Sequence, residues 1–176
     1  MLIKDKIDSI IRTVPDFPKQ GVSFKDITSL LLDAELSSSI VESFVEILQK
    51  KRIDAIVGVE SRGFLFGFLL ANKLKIPFVP IRKAGKLPGE IVAYSYDLEY
   101  GSSEVEIHRS DIKRGWNVLI HDDLLATGGT ASAASELVAL LGANVIGFAF
   151  VISLDYLNGR KKLEKYSDNI ISLKSY

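Results

Sequence analysis

WNVLIHDDLLATGGTASAA, residues 116–134, is the stretch that decides the fold. An apolar run leads into two adjacent carboxylates, Asp122 and Asp123, and then through ATGGT into an alanine-rich run. This pattern predicts a buried strand over residues 118–121, a glycine turn, and a helix over residues 131–141. Glycines allow close backbone approach to a phosphate, and the N–H groups of a helix start favour an anion. The segment therefore predicts a phosphate-binding turn.

Five residues of this turn are the candidate phosphate ligands, through their amides and hydroxyls: Ala126, Thr127, Gly128, Gly129 and Thr130. Thr130 could instead cap the helix, and a generic glycine turn before a capped helix is the structural alternative. Two carboxylates beside a phosphate would repel it. The acid pair fits hydrogen bonds from sugar hydroxyls or a Mg²⁺ counter-ion better. Neither G-x-x-x-x-G-K-[ST] nor a G-x-G-x-x-G after a strand occurs in the chain.

The sequence on either side of this stretch alternates between short apolar strands and helices. Near-continuous apolar strands separated by helices predict an α/β fold with a mainly parallel sheet covered on both faces. A polar antiparallel hairpin is predicted between two of the parallel strands, above the carboxyl ends where such sheets bind ligands. The predicted strands lie at residues 53–59, 76–81, 144–154 and 169–173, the helix between the first two at 63–74, and the hairpin at 91–96 and 104–108.

The first 51 residues are predicted to form two helices separated by an irregular connection. Apolar residues at helical spacing predict one helix over residues 2–14, stopped before Pro15 and packed on the domain or on a second subunit. Residues 16–32 mix Pro, Gly and apolar residues and predict an irregular connection, followed by a helix over residues 40–51.

Composition narrows the class of protein. The chain has 176 residues, 22 basic and 22 acidic side chains, no Cys and 47% hydrophobic residues. This predicts one domain (residues 1–176) and excludes disulfides, thiolate metal sites and a Cys nucleophile. Neutral charge argues against a nucleic-acid partner, and the short apolar runs argue against a membrane partner or a signal peptide. We expect a cytoplasmic protein.

Two further clusters carry charge near predicted strand ends. Arg82, Lys83 and Lys86 place three cations within five residues, which suits a polyanionic ligand in a chain that is neutral as a whole. A solvated surface is the structural alternative. Ser61 and Arg62 precede the helix at residues 63–74 and predict a second anion site, or else a Ser cap beside a surface Arg.

Several longer motifs occur together: DFPKQGVSFKDITSLL, VESRGFLFG, IRKAGKLPGE, YSYDLEYG and VLIHDDLLATGGT. Over residues 16–162 the chain resembles the type I phosphoribosyltransferases, and in particular the adenine phosphoribosyltransferase family. The resemblance implies Mg²⁺-dependent transfer of 5-phosphoribosyl from phosphoribosyl pyrophosphate (PRPP) to N9 of adenine. The products are AMP and pyrophosphate, in purine salvage. It also implies a homodimer.

The resemblance assigns roles to the motifs. Asp122 and Asp123 bind the ribose hydroxyls, and the turn at residues 126–130 binds the 5′-phosphate. The other PRPP ligands are Ser61, Arg62, Arg82, Lys83 and Lys86. Mg²⁺ is carried by PRPP and water, with no direct protein ligand. A hood of about residues 87–108 closes over the reacting centre, where Glu99 exchanges a proton with N7 of the purine and Tyr100 assists positioning.

For the purine itself, the resemblance implies stacking on Phe24, with Leu124 on the other face. Ser23, Lys25 and Arg62 lie beside the base. Three positions depart from the family pattern: Ser23 replaces a branched aliphatic residue, Lys25 replaces Arg, and His121 stands where an aliphatic residue is usual. We interpret His121 as a hydrogen-bonded residue at a strand end, with modulation of the acid pair as the alternative.

Three other functions share some of these features. A xanthine- or guanine-preferring relative would differ only at a few contacts to the base. A PRPP-sensing regulator would keep the fold and bind nucleic acid, but no winged-helix pattern precedes the domain. A nucleotide-binding protein without catalysis would not need Glu99 and the hood.

Overall fold

Alternating apolar strands and helices build a central sheet with helices on both faces. The structure is a computed structural model and describes residues 1–17, 20–21, 23–97 and 101–176. The strands are β1 (Arg12–Pro15), β2 (Ser23–Asp26), β3 (Ala55–Val59), β4 (Phe78–Lys83), β5 (Ile91–Asp97), β6 (Ser102–His108), β7 (Asn117–Leu125), β8 (Asn144–Ser153) and β9 (Ile170–Ser175). The helices are α1 (Ile3–Ile10), α2 (Thr28–Leu31), α3 (Ala34–Leu48), α4 (Gly63–Leu74), α5 (Gly129–Leu140) and α6 (Gly159–Leu163), with a 3-10 turn at Asp155–Leu157.

Seven strands form the main sheet in the order β5-β6-β4-β3-β7-β8-β9. The five strands from β4 to β9 in that order run parallel, because helical or irregular crossovers connect them. The hairpin of β5 and β6 joins antiparallel, through the pairing of β6 with the last two residues of β4. The predicted α/β class, mainly parallel sheet and inserted hairpin are therefore confirmed.

The sheet separates two hydrophobic cores. Helix α5 packs on one face with the inner residues of the hairpin, and α1, α3 and α4 pack on the other. All five residues of β3 are buried, as expected for a central strand. Gly58 in β3 is required by close packing: a Cβ there would lie 2.4 Å from the ring of Phe78.

The N-terminal prediction is wrong in part. Helix α1 ends at Ile10, and Arg12–Pro15 is a strand paired antiparallel with Ser23–Asp26. The β-branched residues before Pro15 favour a strand. Their partner, Ser23–Asp26, lies in the segment predicted to be irregular. Helix α1 packs on this chain's own α3 and β9. No helix within the described residues has the length and apolar character required to cross a bilayer.

Candidate active site

The carboxyl ends of β3, β4 and β7 meet at one edge of the sheet and enclose a cavity of about 360 Å³. This is the position at which open α/β sheets bind ligands. We call it the central cavity. Its lining joins three segments that the sequence placed far apart, together with the inner face of the hairpin: Val59, Glu60, Ser61, Arg62, Lys83, Tyr96, Ser103, Val105, Asp122, Asp123 and Thr130.

The acid pair belongs to a strand longer than predicted. Strand β7 extends to Leu125 because β8 pairs with it as far as Ser153, so Asp122 and Asp123 lie within the strand. Oδ2 of Asp123 accepts a hydrogen bond from Nε of Arg62 at 2.7 Å, and Oδ1 of Asp122 accepts one from the Asp123 amide at 2.8 Å. Burial and the neighbouring Asp123 carboxylate raise the pKa of Asp122 well above its usual range.

The glycine turn after β7 lines a second cavity, of about 190 Å³, which also borders Arg62 and the acid pair. We call it the turn cavity; its lining includes all five predicted phosphate ligands, residues 126–130. Gly128 has φ +78°, and a Cβ there would lie 2.8 Å from the carbonyl oxygen of Gly159. Within the described residues, the amides of residues 126–131 donate no hydrogen bond to the protein. The turn therefore presents its amides in the manner of an anion site.

Helix α5 begins at Gly129, two residues earlier than predicted. Gly128 occupies the position before the helix, and no side chain caps it, so the alternative in which Thr130 is the cap is wrong. The Thr130 hydroxyl instead lies 3.4 Å from the hydroxyl of Tyr96 on the hairpin. Both side chains line the central cavity.

Only some of the predicted cationic ligands line the central cavity. Arg62 and Lys83 line the central cavity. Arg82 does not line it, and its Nε donates to Oε2 of Glu60 at 3.0 Å. Lys86 is exposed in the loop after β4. Ser61 lines the cavity, while the residue preceding α4 is Arg62, with no side-chain cap.

Phe24 lies at a third cavity, which we call the Phe24 pocket. The pocket has a volume of about 290 Å³ and a mainly apolar lining: Gly21, Ser23, Phe24, Lys25, Leu124, Ala126, Leu154, Tyr156 and Leu157. It gathers the predicted base platform, Phe24, and the predicted opposite face, Leu124. The guanidinium carbon of Arg62 lies 5.8 Å from the centre of the Phe24 ring, so Arg62 reaches from the acid pair to this pocket.

The two departures from the family pattern at this pocket have different surroundings. Ser23 is exposed at the start of β2. The ammonium group of Lys25 donates to Oγ1 of Thr13 at 2.9 Å and lies 4.1 Å from the centre of the Tyr176 ring. The charge of Lys25 is therefore already engaged by β1 and by the C-terminal residue.

His121 is a correction to the sequence interpretation. Its side chain is fully buried between β7 and the α3–α4 layer, 5.7 Å from the ring of Phe44 in an edge-to-face arrangement. Within the described residues neither ring nitrogen has a hydrogen-bond partner, so the predicted hydrogen-bonded histidine is not found. Burial lowers the pKa of His121 to about 4, although the backbone of Ala149 acts in the opposite direction. The imidazole is neutral at pH 7.

Two predicted residues, Glu99 and Tyr100, lie outside the described residues, as does Leu98. The hairpin strands on either side of them are described, and β5 brings Tyr96 to the central cavity.

Sequence reasoning missed two glutamates next to the cationic segment. Glu60 accepts hydrogen bonds from Arg82 and, at 2.9 Å, from the Lys83 amide, and these two contacts lower the pKa of Glu60 despite its partial burial. Glu106 is 2% exposed and accepts from three backbone amides of the loop that follows β4. Nothing in the pattern SSEVEIH separates buried Glu106 from exposed Glu104. The adjacency of Glu60 to Ser61 was the available signal for Glu60.

Known proteins are similar in sequence to this chain over almost its whole length. The model of the phosphoribosyl transferase domain matches residues 28–175. The chain belongs to the phosphoribosyltransferase family. A curated adenine phosphoribosyltransferase from Clostridium botulinum (strain Alaska E43 / Type E3) is 50% identical over 176 residues, which covers 100% of this chain and 99% of the relative.

Solved structures of phosphoribosyltransferases have the same fold. The adenine phosphoribosyltransferase of Thermoanaerobacter pseudethanolicus superposes with a TM-score of 0.93 at 47% identity, covering 98% of this chain and 99% of the other. The Saccharomyces cerevisiae enzyme, solved with adenine and an imino-altritol bisphosphate, gives a TM-score of 0.91 at 42% identity, covering 97% and 98%.

The acid groups of this phosphoribosyltransferase site fit a magnesium ion that arrives with its ligand. Within the described residues no three His, Asp or Glu side chains form a group able to cage a metal ion. Three carboxylates line the central cavity; Glu60 is paired with Arg82, and Asp123 with Arg62. Water ligands of a Mg²⁺ carried by phosphate oxygens would hydrogen-bond to the carboxyl groups of the Asp122–Asp123 pair.

Proposed function

We propose that this chain transfers the 5-phosphoribosyl group of PRPP to N9 of adenine, giving AMP and pyrophosphate. One observation carries the proposal: residues at the end of β7 and in the turn after it line three cavities. Asp122 and Asp123 line the central cavity, Leu124 lines the Phe24 pocket, and the turn that follows lines the turn cavity. Ribose, base and 5′-phosphate are the three parts of the nucleotide product. The resemblance to adenine phosphoribosyltransferases of about half-identical sequence supports adenine as the base.

The 5′-phosphate is proposed to bind at residues 126–130. There the amides, which have no acceptor among the described residues, and the start of the 12-residue helix α5 supply partial positive charge. The hydroxyls of Thr127 and Thr130 complete the set of donors. Because this end of the ligand is held by dipoles, it is fixed in orientation as well as attracted.

The ribose hydroxyls are proposed to bind at Asp122 and Asp123. The ion pair with Arg62 keeps the Asp123 carboxylate oriented, while the raised pKa of Asp122 makes it the member of the pair able to hold a proton. One carboxylate that accepts and one that also donates can engage two vicinal hydroxyls at once. This arrangement fixes C1′ between the base and the leaving pyrophosphate.

Pyrophosphate is proposed to leave into the part of the central cavity lined by Ser61, Arg62 and Lys83. Exposed Lys86 and Arg82, which is bonded to Glu60 of that lining, add positive charge nearby. Mg²⁺, when bound to PRPP, neutralises and orients the pyrophosphate. Adenine stacks on Phe24 so that N9 faces C1′, and Glu99 exchanges a proton at N7. The hood, residues 87–108, covers the site, so that water does not compete with adenine for C1′.

We also propose that the chain is a homodimer. Helix α4 presents Leu65, Phe68 and Leu69 on its outer face, and Phe68 is 57% exposed. Apolar side chains clustered in this way on one helix are typical of a covered surface. Sedimentation analysis of the chain and of Phe68→Asp tests the proposal: a dimer that dissociates in the variant supports it, and a monomeric parent chain rejects it.

The decisive assay measures pyrophosphate release with PRPP, Mg²⁺ and each of adenine, hypoxanthine, guanine and xanthine. We expect turnover with adenine at least about 100-fold above that with the other bases, because unpaired polar groups at the base are costly. Preference for xanthine or guanine would reject the substrate assignment. Asp122→Asn combined with Asp123→Asn should fold and lose turnover; full activity in this variant would reject the ribose assignment.

A further inference from the structure

Glu106 is a buried carboxylate with an unusual set of partners. It lies on β6, and its two oxygens accept hydrogen bonds from three successive backbone amides of the loop after β4. The Gly85 amide donates to Oε2 at 3.0 Å, and the amides of Lys86 and Leu87 donate to Oε1 at 2.7 and 2.6 Å. A run of amides that converges on one anion is the geometry of a backbone nest.

The charge of Glu106 is maintained by these contacts. Burial acts to raise the pKa of Glu106, but the three amide donations outweigh it, so the pKa lies below the usual value. The carboxylate is therefore ionised at neutral pH and its hydrogen bonds are charge-assisted, the stronger kind. Gly85 has φ +79°, which lets consecutive amides turn towards the same side.

Glu60 acts in the same way at the start of the loop. It accepts from the Lys83 amide and from the Arg82 guanidinium. Glu60, which follows β3, and Glu106, within β6, thus hold the amides of residues 83, 85, 86 and 87. Since these amides are already bonded, an incoming anion meets the lysine side chains of this loop and not its backbone.

Taking the proposed function as the starting point, we propose that Glu106 is a positioning residue for pyrophosphate. It does not line any of the three cavities. By fixing the course of residues 85–87 it sets where the Lys86 side chain leaves the loop, next to Lys83, whose amide is held by Glu60. The role requires a carboxylate: a Gln has one acceptor oxygen, and its NH₂ group would face an amide donor.

The reverse reaction tests this role, because AMP and pyrophosphate then enter as separate substrates. Glu106→Gln is expected to raise the KM for pyrophosphate about tenfold or more while the KM for AMP changes less than about twofold. The matched control is Glu104→Gln, two residues along the same strand, where an exposed carboxylate accepts only from the Ser95 hydroxyl at 2.7 Å within the described residues. Both KM values of the control should stay within about twofold of those of the parent chain.

Other outcomes separate the alternatives. A merely structural role would lower the melting temperature and the amount of active enzyme while leaving the KM for pyrophosphate unchanged, and this result would overturn the proposal. Equal rises in both KM values would also overturn it. If Glu106→Gln does not fold, Leu87→Pro removes one of the three amide donors and keeps the carboxylate; an unchanged KM for pyrophosphate there rejects the role. A parent chain that consumes no AMP would instead reject the proposed function.

Discussion

Two loops at the same edge of the sheet handle anions in opposite ways. The turn at residues 126–130 leaves its amides without protein acceptors in the described parts of the chain and carries no charged side chain. The loop at residues 83–87 has four of its five amides bonded to the carboxylates of Glu60 and Glu106, and it carries Lys83 and Lys86. The first loop offers backbone dipoles, and the second offers mobile positive charge.

The difference suits the two anions of the proposed reaction. A monoester phosphate that stays attached to the ribose throughout the reaction benefits from fixed donors, which orient it. A departing, highly charged pyrophosphate benefits from long cationic side chains that can follow it as it leaves. The glutamates that anchor the second loop also cancel part of its charge. A chain with 22 basic and 22 acidic residues can therefore build a strongly polar site without any net charge.

Gly128→Ala should disturb the turn at residues 126–130, which offers backbone amides, and should have the largest effect. Ala would be strained at φ +78°, and its Cβ would lie 2.8 Å from the Gly159 carbonyl oxygen, so the turn must shift. We expect kcat/KM for PRPP to fall about 100-fold or more, measured by steady-state kinetics. Gly115→Ala is the control, since Gly115 has φ +81° with no atom within 4 Å of its Cβ position. Normal kinetics in Gly128→Ala would contradict the role of the turn.

Lys83→Ala combined with Lys86→Ala removes both lysine side chains from the loop at residues 83–87. The expected result is a rise of about ten- to thirtyfold in KM for PRPP with a smaller change in kcat, because charge mainly aids binding. The KM of the variant should also depend less on salt than that of the parent chain. Lys50→Ala with Lys51→Ala, at exposed positions just after α3, should match the parent chain. A salt dependence equal to that of the parent chain would contradict the proposal that these two lysines bind the anion.

His121→Leu tests whether the strand beneath the turn adds a dependence on pH. The pKa of His121 is about 4 in the folded chain and about 6.5 when unfolded, so the unfolded chain binds more protons between these values. The free energy of unfolding of the parent chain should therefore fall as pH drops from about 6.5 to 4, by up to about 3 kcal/mol from this residue. Urea unfolding at several pH values should show a flatter profile in the variant. Parallel profiles would contradict the burial argument.

Tyr96→Phe should have the smallest effect. It removes the hydroxyl that lies 3.4 Å from the Thr130 hydroxyl, the contact between the hairpin and the phosphate turn. A long, partly exposed hydrogen bond contributes little, so we expect a two- to threefold loss in kcat/KM for PRPP, roughly 0.5 kcal/mol. Tyr94→Phe, which packs against the core on the same strand, should be silent. A loss above about tenfold would mean that the hairpin controls the turn more strongly than this contact implies.

The features predictable from sequence were those encoded locally. The apolar run, the acid pair and the glycine turn of residues 116–134 follow one another in the chain, so their arrangement could be predicted before the sheet was known. The end of β7 was misplaced because its last residues depend on pairing with β8. The β1–β2 pair was missed for the same reason.

Burial of individual charges was not predictable. Glu104 and Glu106 have the same local pattern, and only the position of the loop after β4 makes one exposed and the other an anchor. The sequence did not predict the ion pair between Arg82 and Glu60. Such pairings depend on which strands become neighbours, and this information is not local.

The reverse reaction provides the most direct test of the division between the two loops. Initial rates with AMP and pyrophosphate varied independently would be measured for the parent chain, for Gly128→Ala, and for Lys83→Ala with Lys86→Ala. We predict that Gly128→Ala raises the KM for AMP and leaves that for pyrophosphate nearly unchanged, and that the double lysine variant does the opposite. If both variants raised the same KM, the two loops would not bind separate anions and the account would be wrong.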